Sequence, residues 1–235
     1  MSFSPESRKA DAPKVSGADA MLLGFGIVVA MFLADGLFKE WLYRHSAVLY
    51  WAFDIAKFVV VPAVVLRWLY RSHAVAPSRY GLQKFGKLEH WLRTLALILL
   101  ASLLLAVIYH FSSKLAWRIS GTVPPVFTYS TSVPKGWMHF PVVFYFALTA
   151  GFVEEIFLRG LPLLYQHNRF GDNGSKLAYV AVTSLLFGLI HWENGTPEIF
   201  ATAAFGVAAA ILYLQLRNLW PLIAAHVLID VWWFG

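Results

Sequence analysis

The sequence predicts an all-α fold, a polytopic membrane helical bundle of about seven transmembrane helices, and three observations carry that prediction. Hydrophobic residues make up 59% of the chain and charged residues only 14%, whereas a soluble domain is roughly one-quarter charged. The apolar residues fall into seven runs, and 235 residues leave room for little else when each span takes roughly 20. The basic residues lie between the runs, so the net charge of +6 reads as membrane topology and a lipid bilayer contact, with no nucleic-acid partner. Cysteine is absent, which excludes disulfides, thiolate ligands and a cysteine nucleophile.

Residues 1–17 mix Ser, Pro, Lys and Asp without periodicity and are expected to form a disordered cytoplasmic tail. Residues 18–235 form a single membrane domain. The first run, about Met21 to Phe38, carries Asp35 near its end and is followed by Lys39 and Glu40. It lacks a small-residue cleavage site and is therefore a retained span. The second run covers about Ala47 to Tyr70 and the third about Trp91 to Phe111. Between them Arg67, Arg71, Arg79, Lys84, Lys87 and Arg93 meet a single acid, Glu89. The positive-inside rule places this loop, and with it the N-terminus, in the cytoplasm of a multi-pass cell-membrane protein.

Residues 112–135, with Pro124, Pro125 and Pro134, read as an external loop without regular structure. Four further runs follow, at about Met138 to Tyr165, Leu177 to Trp192, Pro197 to Leu216 and Leu219 to Trp233. Tryptophans near the run ends, among them Trp41, Trp91, Trp137 and Trp192, are expected to be interface anchors.

A charge at the bilayer centre costs roughly 2.5–3.5 kcal/mol on insertion scales, so polar residues inside apolar runs line cavities or find partners. The fourth run holds Glu154, Glu155 and Arg159. Glu155 and Arg159, one turn apart, can pair on one face and leave Glu154 rotated by about 100°. The fifth run ends on Phe187-Gly-Leu-Ile-His191, and the seventh carries His226 and Asp230 on one face. Three helices can thus bring a carboxylate, two imidazoles and a second carboxylate to one cavity, a set suited to activating water for hydrolysis. Each element alone has a plainer reading. The Glu-Arg pair is structural by default, His191 is an interfacial residue, and His226 with Asp230 holds the bundle or relays protons.

The three segments Glu154-Glu155-Ile-Phe-Leu-Arg159, Phe187-Gly-Leu-Ile-His191 and His226-Val-Leu-Ile-Asp230 resemble the CPBP family, the CAAX protease and bacteriocin-processing group (Abi family) that includes the Rce1-like endopeptidases. The family pattern is Glu-Glu-x-x-x-Arg, Phe-x-x-x-His and His-x-x-x-Asn or Asp, each on a separate membrane helix. The resemblance covers residues 138–235 as a catalytic core, with Tyr80-Gly81-Leu82 as a weaker echo. It implies that Glu154 and His191 activate water and that His226 and Asp230 polarise the scissile carbonyl or complete the polar site. Glu155 and Arg159, with Phe187, would support the first-motif helix. Asp230 stands where the Rce1-like version has Asn; an ionised Asp cannot donate to an oxyanion, so it must be protonated, orient His226 or bind a cation. Glu154, His191, His226 and Asp230 are also of the residue types that ligate catalytic zinc. Family naming includes glutamic and metallo descriptions, and the sequence leaves both open, with zinc the one cofactor to consider.

The expected function is therefore intramembrane endopeptidase activity on a membrane-anchored or lipidated protein or peptide: a CAAX protein, a bacteriocin leader or a C-terminal sorting tail. The alternatives are a transporter or proton-relay protein and a non-catalytic immunity or scaffold protein. Against a transporter stands the lack of visible repeats. The position of Glu154 nearer the inner end of its run, and of His191 nearer the outer end of its own, gives conflicting hints about the side on which the cavity opens. Asp35 with Lys39, Glu40 with Arg44 and Asp54 with Lys57 are expected to be self-neutralising structural pairs.

Overall fold

A computed structural model describes residues 16–84, 88–121, 125, 127 and 132–235. The tail and Lys87, Pro124 and part of the external loop lie outside the described residues. Helices dominate: α1 (Gly17–His45), α2 (Ala47–His73), α3 (Leu88–Ser120), α4 (Gly136–Phe170), α5 (Lys176–Leu189), α6 (Thr196–Leu216) and α7 (Trp220–Phe234). There is no strand among the described residues. Five of the helices are long and apolar enough to cross a membrane, while α5 and α7 are shorter apolar helices. The chain is a multi-pass membrane protein built as a helical bundle, as the composition predicts.

Local chemistry sets the helix boundaries. The hydroxyls of Ser16, Ser46 and Ser175 accept from the backbone N–H three residues on, at Asp19, Leu49 and Ala178, satisfying donors that the first turn leaves orphaned. Pro197 and Pro221 occupy the first turns of α6 and α7, where the missing N–H costs nothing. Arg217 takes a left-handed conformation at φ 51° and ends α6 with the tight turn into α7. The third run reaches further than expected: α3 continues helically from Ser112 to Ser120. No proline or glycine interrupts that stretch; the prolines begin only at 124, so nothing stops the helix where the apolar run ends.

Both α2 and α4 contain a π-helical turn, Ala56–Val60 and Ile156–Gly160. Pro62 and Pro162 follow two residues later. A proline inside a helix lacks the N–H for the carbonyl four residues back, and its ring crowds that carbonyl. The chain answers by widening, and the Val61 and Leu161 N–H groups bond back five residues, to Ala56 and Ile156. Turns of this kind often occur at functional sites, and here Lys57 and Arg159 lie within them.

The core joins α4 to α1, α5, α6 and α7 through buried residues such as Met21, Phe157, Leu161, Phe187, Ala209 and Leu222. α3 is peripheral and presents Leu92, Leu95, Leu99, Leu100 and Leu103, each more than half exposed, a pattern that requires lipid as the solvent. The Tyr80-Gly81-Leu82 segment docks on the α6–α7 turn, where Leu219 N–H donates to the Gly81 carbonyl at 2.9 Å. Gly81 has φ +99°, and a Cβ there would meet the Tyr213 ring at 2.9 Å, so only glycine suits it.

Helix length positions the site. Glu154 lies midway along the 35 residues of α4, because the helix continues past the expected end at Tyr165 to Phe170. α5 has 14 residues, about 21 Å at 1.5 Å per residue, against roughly 30 Å of hydrocarbon. α5 is thus shorter than that layer, and Glu154 and His191, whose places in their runs gave conflicting hints, line one cavity.

Candidate active site

A cavity of about 310 Å³ opens among α1, α2, α3, α4, α6 and α7, with the turn after α5 completing its wall. Glu154, His191, His226 and Asp230 all line it, so the four side chains singled out in the sequence share one space. The walls between them are aromatic, from Phe32, Phe146, Phe187 and Phe205. Its volume is at the lower end of the roughly 300–1,000 Å³ typical of ligand sites.

His226 is the hub. It is 5% exposed, and its Nδ1 lies 2.9 Å from Glu155 Oε1. With a carboxylate as the only acceptor there, Nδ1–H donates and Nε2 turns to the cavity. Nε2 stands 3.9 Å from Glu154 Oε2 and 3.6 Å from Asp230 Oδ2, beyond hydrogen-bond reach. Glu155, not Asp230, therefore orients the ring. Phe205 and Phe187 pack beside it at 5.3 Å and 5.9 Å between ring centroids.

Glu155 departs from its expected role of pairing only with Arg159. One oxygen holds His226 and the other lies 3.6 Å from Arg159 Nε. It thus links the first motif to the third across two helices. Arg159, fully buried, finds no hydrogen-bond acceptor among the described residues. Its guanidinium instead lies 4.3 Å from the centre of the Phe187 ring, the cation–π geometry that offsets part of a buried charge. Phe187 is stacked in turn on Phe205. The first residue of the second motif is thereby tied to the last residue of the first.

His191 sits past the end of α5, not on the helix. Its Nδ1 is 2.8 Å from the Phe187 carbonyl oxygen. That carbonyl can only accept, so Nδ1–H donates and Nε2 is the nitrogen left over. Both imidazoles follow one scheme, with Nδ1 anchored and Nε2 available. Glu154 Oε2 is buried with no hydrogen-bond partner among the described residues.

Sequence reasoning missed several wall residues. Glu198 and Tyr109 line the cavity and are bonded to each other, the phenol donating to Oε1 at 2.6 Å. Glu198 follows Thr196-Pro197 and reads from sequence as an ordinary acid in a first helical turn. Asp35, Lys57 and Glu193 also line it. Asp54 and Lys57 attract each other as expected but find their hydrogen bonds between elements: Lys57 donates to Asp35, and Asp54 accepts from Tyr145. Asp35 with Lys39 and Glu40 with Arg44 do pair one turn apart. Trp192 is no interface anchor; it is part-buried and its Nε1–H donates to the Leu33 carbonyl at 2.9 Å.

Among the described residues, no three His, Asp or Glu side chains are disposed to hold a metal ion.

Apolar helices long enough to span a membrane thus surround a buried cavity that gathers carboxylates and imidazoles. Residues 136–232 match the model of the family described as Type II CAAX prenyl endopeptidase Rce1-like, which bears out the resemblance to the CPBP group over that C-terminal segment. No curated protein and no solved structure matches the chain.

Proposed function

We propose that this protein is an intramembrane endopeptidase that hydrolyses a peptide bond in a membrane-anchored or lipidated protein or peptide. One observation supports this above the rest. The Glu154 carboxylate, the Nε2 atoms of His191 and His226, and Asp230 face one cavity, while Glu155 and the Phe187 carbonyl occupy the Nδ1 atoms.

The chemistry follows from those atoms. Glu154 takes a proton from a water that His191 Nε2 positions, and the water oxygen bonds to the scissile carbonyl carbon. The carbonyl π electrons move to its oxygen. His226, as an imidazolium held by Glu155, donates Nε2–H to that oxyanion. When the tetrahedral species collapses, the C–N bond breaks and the amine nitrogen takes the proton from Glu154, which regenerates the carboxylate. Asp230 lies nearest His226 Nε2 and balances the charge on the ring.

Substrates come from the bilayer: a prenylated C-terminal motif, a bacteriocin leader and a C-terminal sorting tail all fit a protein-bound apolar anchor beside a cleavable bond. Comparative membrane proteomics of cells carrying the wild type or Glu154→Gln tests the reading. Precursors should accumulate uncut with Glu154→Gln and with His191→Ala, while both variants stay folded in the membrane. Continued cleavage in both would overturn the assignment, and an unchanged phenotype would favour a scaffold or transporter.

A further inference from the structure

The turn that carries His191 is gripped by α1, a helix outside the matched segment. Three contacts converge on Trp192 and Glu193. Trp192 Nε1–H donates to the Leu33 carbonyl at 2.9 Å. The indole fills a notch at Gly36, where a Cβ would come within 2.6 Å of the ring and 3.0 Å of Glu193 Cβ. Lys39 Nζ donates to Glu193 Oε1 at 3.0 Å, with both side chains almost fully buried. Leu33, Gly36 and Lys39 recur at about one helical turn and so present a single face.

The ion pair continues into α2. Asp35 Oδ2 is shared by Lys39 and Lys57, which gives a chain of Lys57, Asp35, Lys39 and Glu193 across α2, α1 and the turn. Four charges this deep in a bundle are costly unless matched. His191 is bonded back to α5, its N–H to the Gly188 carbonyl and its Nδ1–H to the Phe187 carbonyl, and Asn194 N–H and Gly195 N–H close the turn on the His191 and Trp192 carbonyls. The side chains of Trp192 and Glu193 add the tie from the far side of the turn to α1.

We infer that Lys39 and Glu193 are positioning residues for catalysis, a clamp by which α1 fixes the His191 turn at the cavity. The inference rests on the proposed hydrolytic role of His191 and concerns what holds that residue in place. Lys39→Met leaves Glu193 with an unmatched charge and Asp35 still bonded to Lys57. Glu193→Gln removes the charge isosterically and is the gentler variant. Gly36→Val pushes on the indole without touching any charge.

The test is hydrogen exchange, followed by mass spectrometry, on the full chain in lipid nanodiscs, together with cleavage of the precursor that Glu154→Gln causes to accumulate. In Lys39→Met, Glu193→Gln and Gly36→Val, amides 190–195 should exchange faster while those around residues 150–160 keep their protection. Turnover should fall roughly 10- to 100-fold, the scale of an ångström-sized misplacement, with KM little changed. Lys39→Met and Glu193→Gln should lose less when combined than the sum of their separate losses, because both weaken the Lys39–Glu193 pair while only Lys39→Met also gives up the bond to Asp35, and Lys39→Arg should restore most of the rate. Unchanged exchange in the turn in all three variants, or additive losses in the double variant, would overturn the clamp. If Glu154→Gln blocks no cleavage, the protease reading fails, while the exchange measurement still decides whether α1 holds the turn.

Discussion

Two buried polar clusters face the same cavity and do opposite things with their charges. In the first, on α4, α7 and the turn after α5, each imidazole has one nitrogen anchored and one left towards the cavity, and Glu154 keeps an oxygen without a hydrogen bond. In the second, on α1 and α2, the ammonium groups are spent on carboxylates, Lys57 on Asp35 and Lys39 on Asp35 and Glu193. The first anchors the far sides of its imidazoles; the second ties helices together through shared ion pairs, although Glu193 Oε2 also has no hydrogen-bond partner among the described residues. Buried charge is therefore not by itself a mark of catalysis.

Neutralising one carboxylate in each cluster should separate the two. Glu154→Gln is expected to cut substrate processing by roughly 10²–10⁴-fold, the usual contribution of a general base. It should barely move the thermal unfolding midpoint, because the buried Oε2 has no hydrogen-bond partner among the described residues. Asp35→Asn should do the reverse: it strips the shared partner from two buried lysines and is expected to cost about 3–5 kcal/mol, read as a large drop in unfolding midpoint in detergent. A midpoint that falls equally in both variants would erase the distinction. Glu155→Gln belongs to both regimes. It leaves Arg159 unmatched at a cost of about 3–5 kcal/mol and weakens the anchor of His226, so stability and processing should fall together.

Smaller effects sharpen the boundary of the second cluster. Tyr145→Phe removes the 2.9 Å bond to Asp54 and should cost about 0.6 kcal/mol, the mean for hydrogen bonds between membrane helices, measured in a chemical denaturation series. Smallest of all, removing Glu40 with Arg44, an exposed pair one turn apart, should change stability by no more than about 0.5 kcal/mol. A loss above 2 kcal/mol there would mean that surface pairs of this chain matter more than their exposure implies.

Much of this was legible in the sequence because lipid makes both the apolar run and the misplaced charge conspicuous. The seven runs correspond to the seven helices, and Glu154, His191, His226 and Asp230 stand out as polar residues in apolar company. Partnership was less legible. Glu155 was expected to face Arg159 alone, since helical spacing reports neighbours on one helix and says nothing of an imidazole on another. For the same reason Asp54 and Lys57 seemed self-sufficient, although their bonds run to Tyr145 and Asp35. Trp192 passed for a headgroup anchor because its place at the end of a run cannot show the notch at Gly36. Helix ends misled where composition and hydrogen bonding part company, as at Ser112–Ser120, where polar residues continue a helix that hydropathy would have stopped.

The brevity of α5 has a further consequence for the surroundings of the protein. A stretch about 9 Å shorter than the hydrocarbon layer forces adjoining acyl chains to compress, or headgroups and water to dip towards the turn. Thinning of that kind beside one short helix would bring the solvent boundary closer to the turn that carries His191. For the proposed hydrolysis, the bilayer itself would then help to admit the water that the reaction consumes.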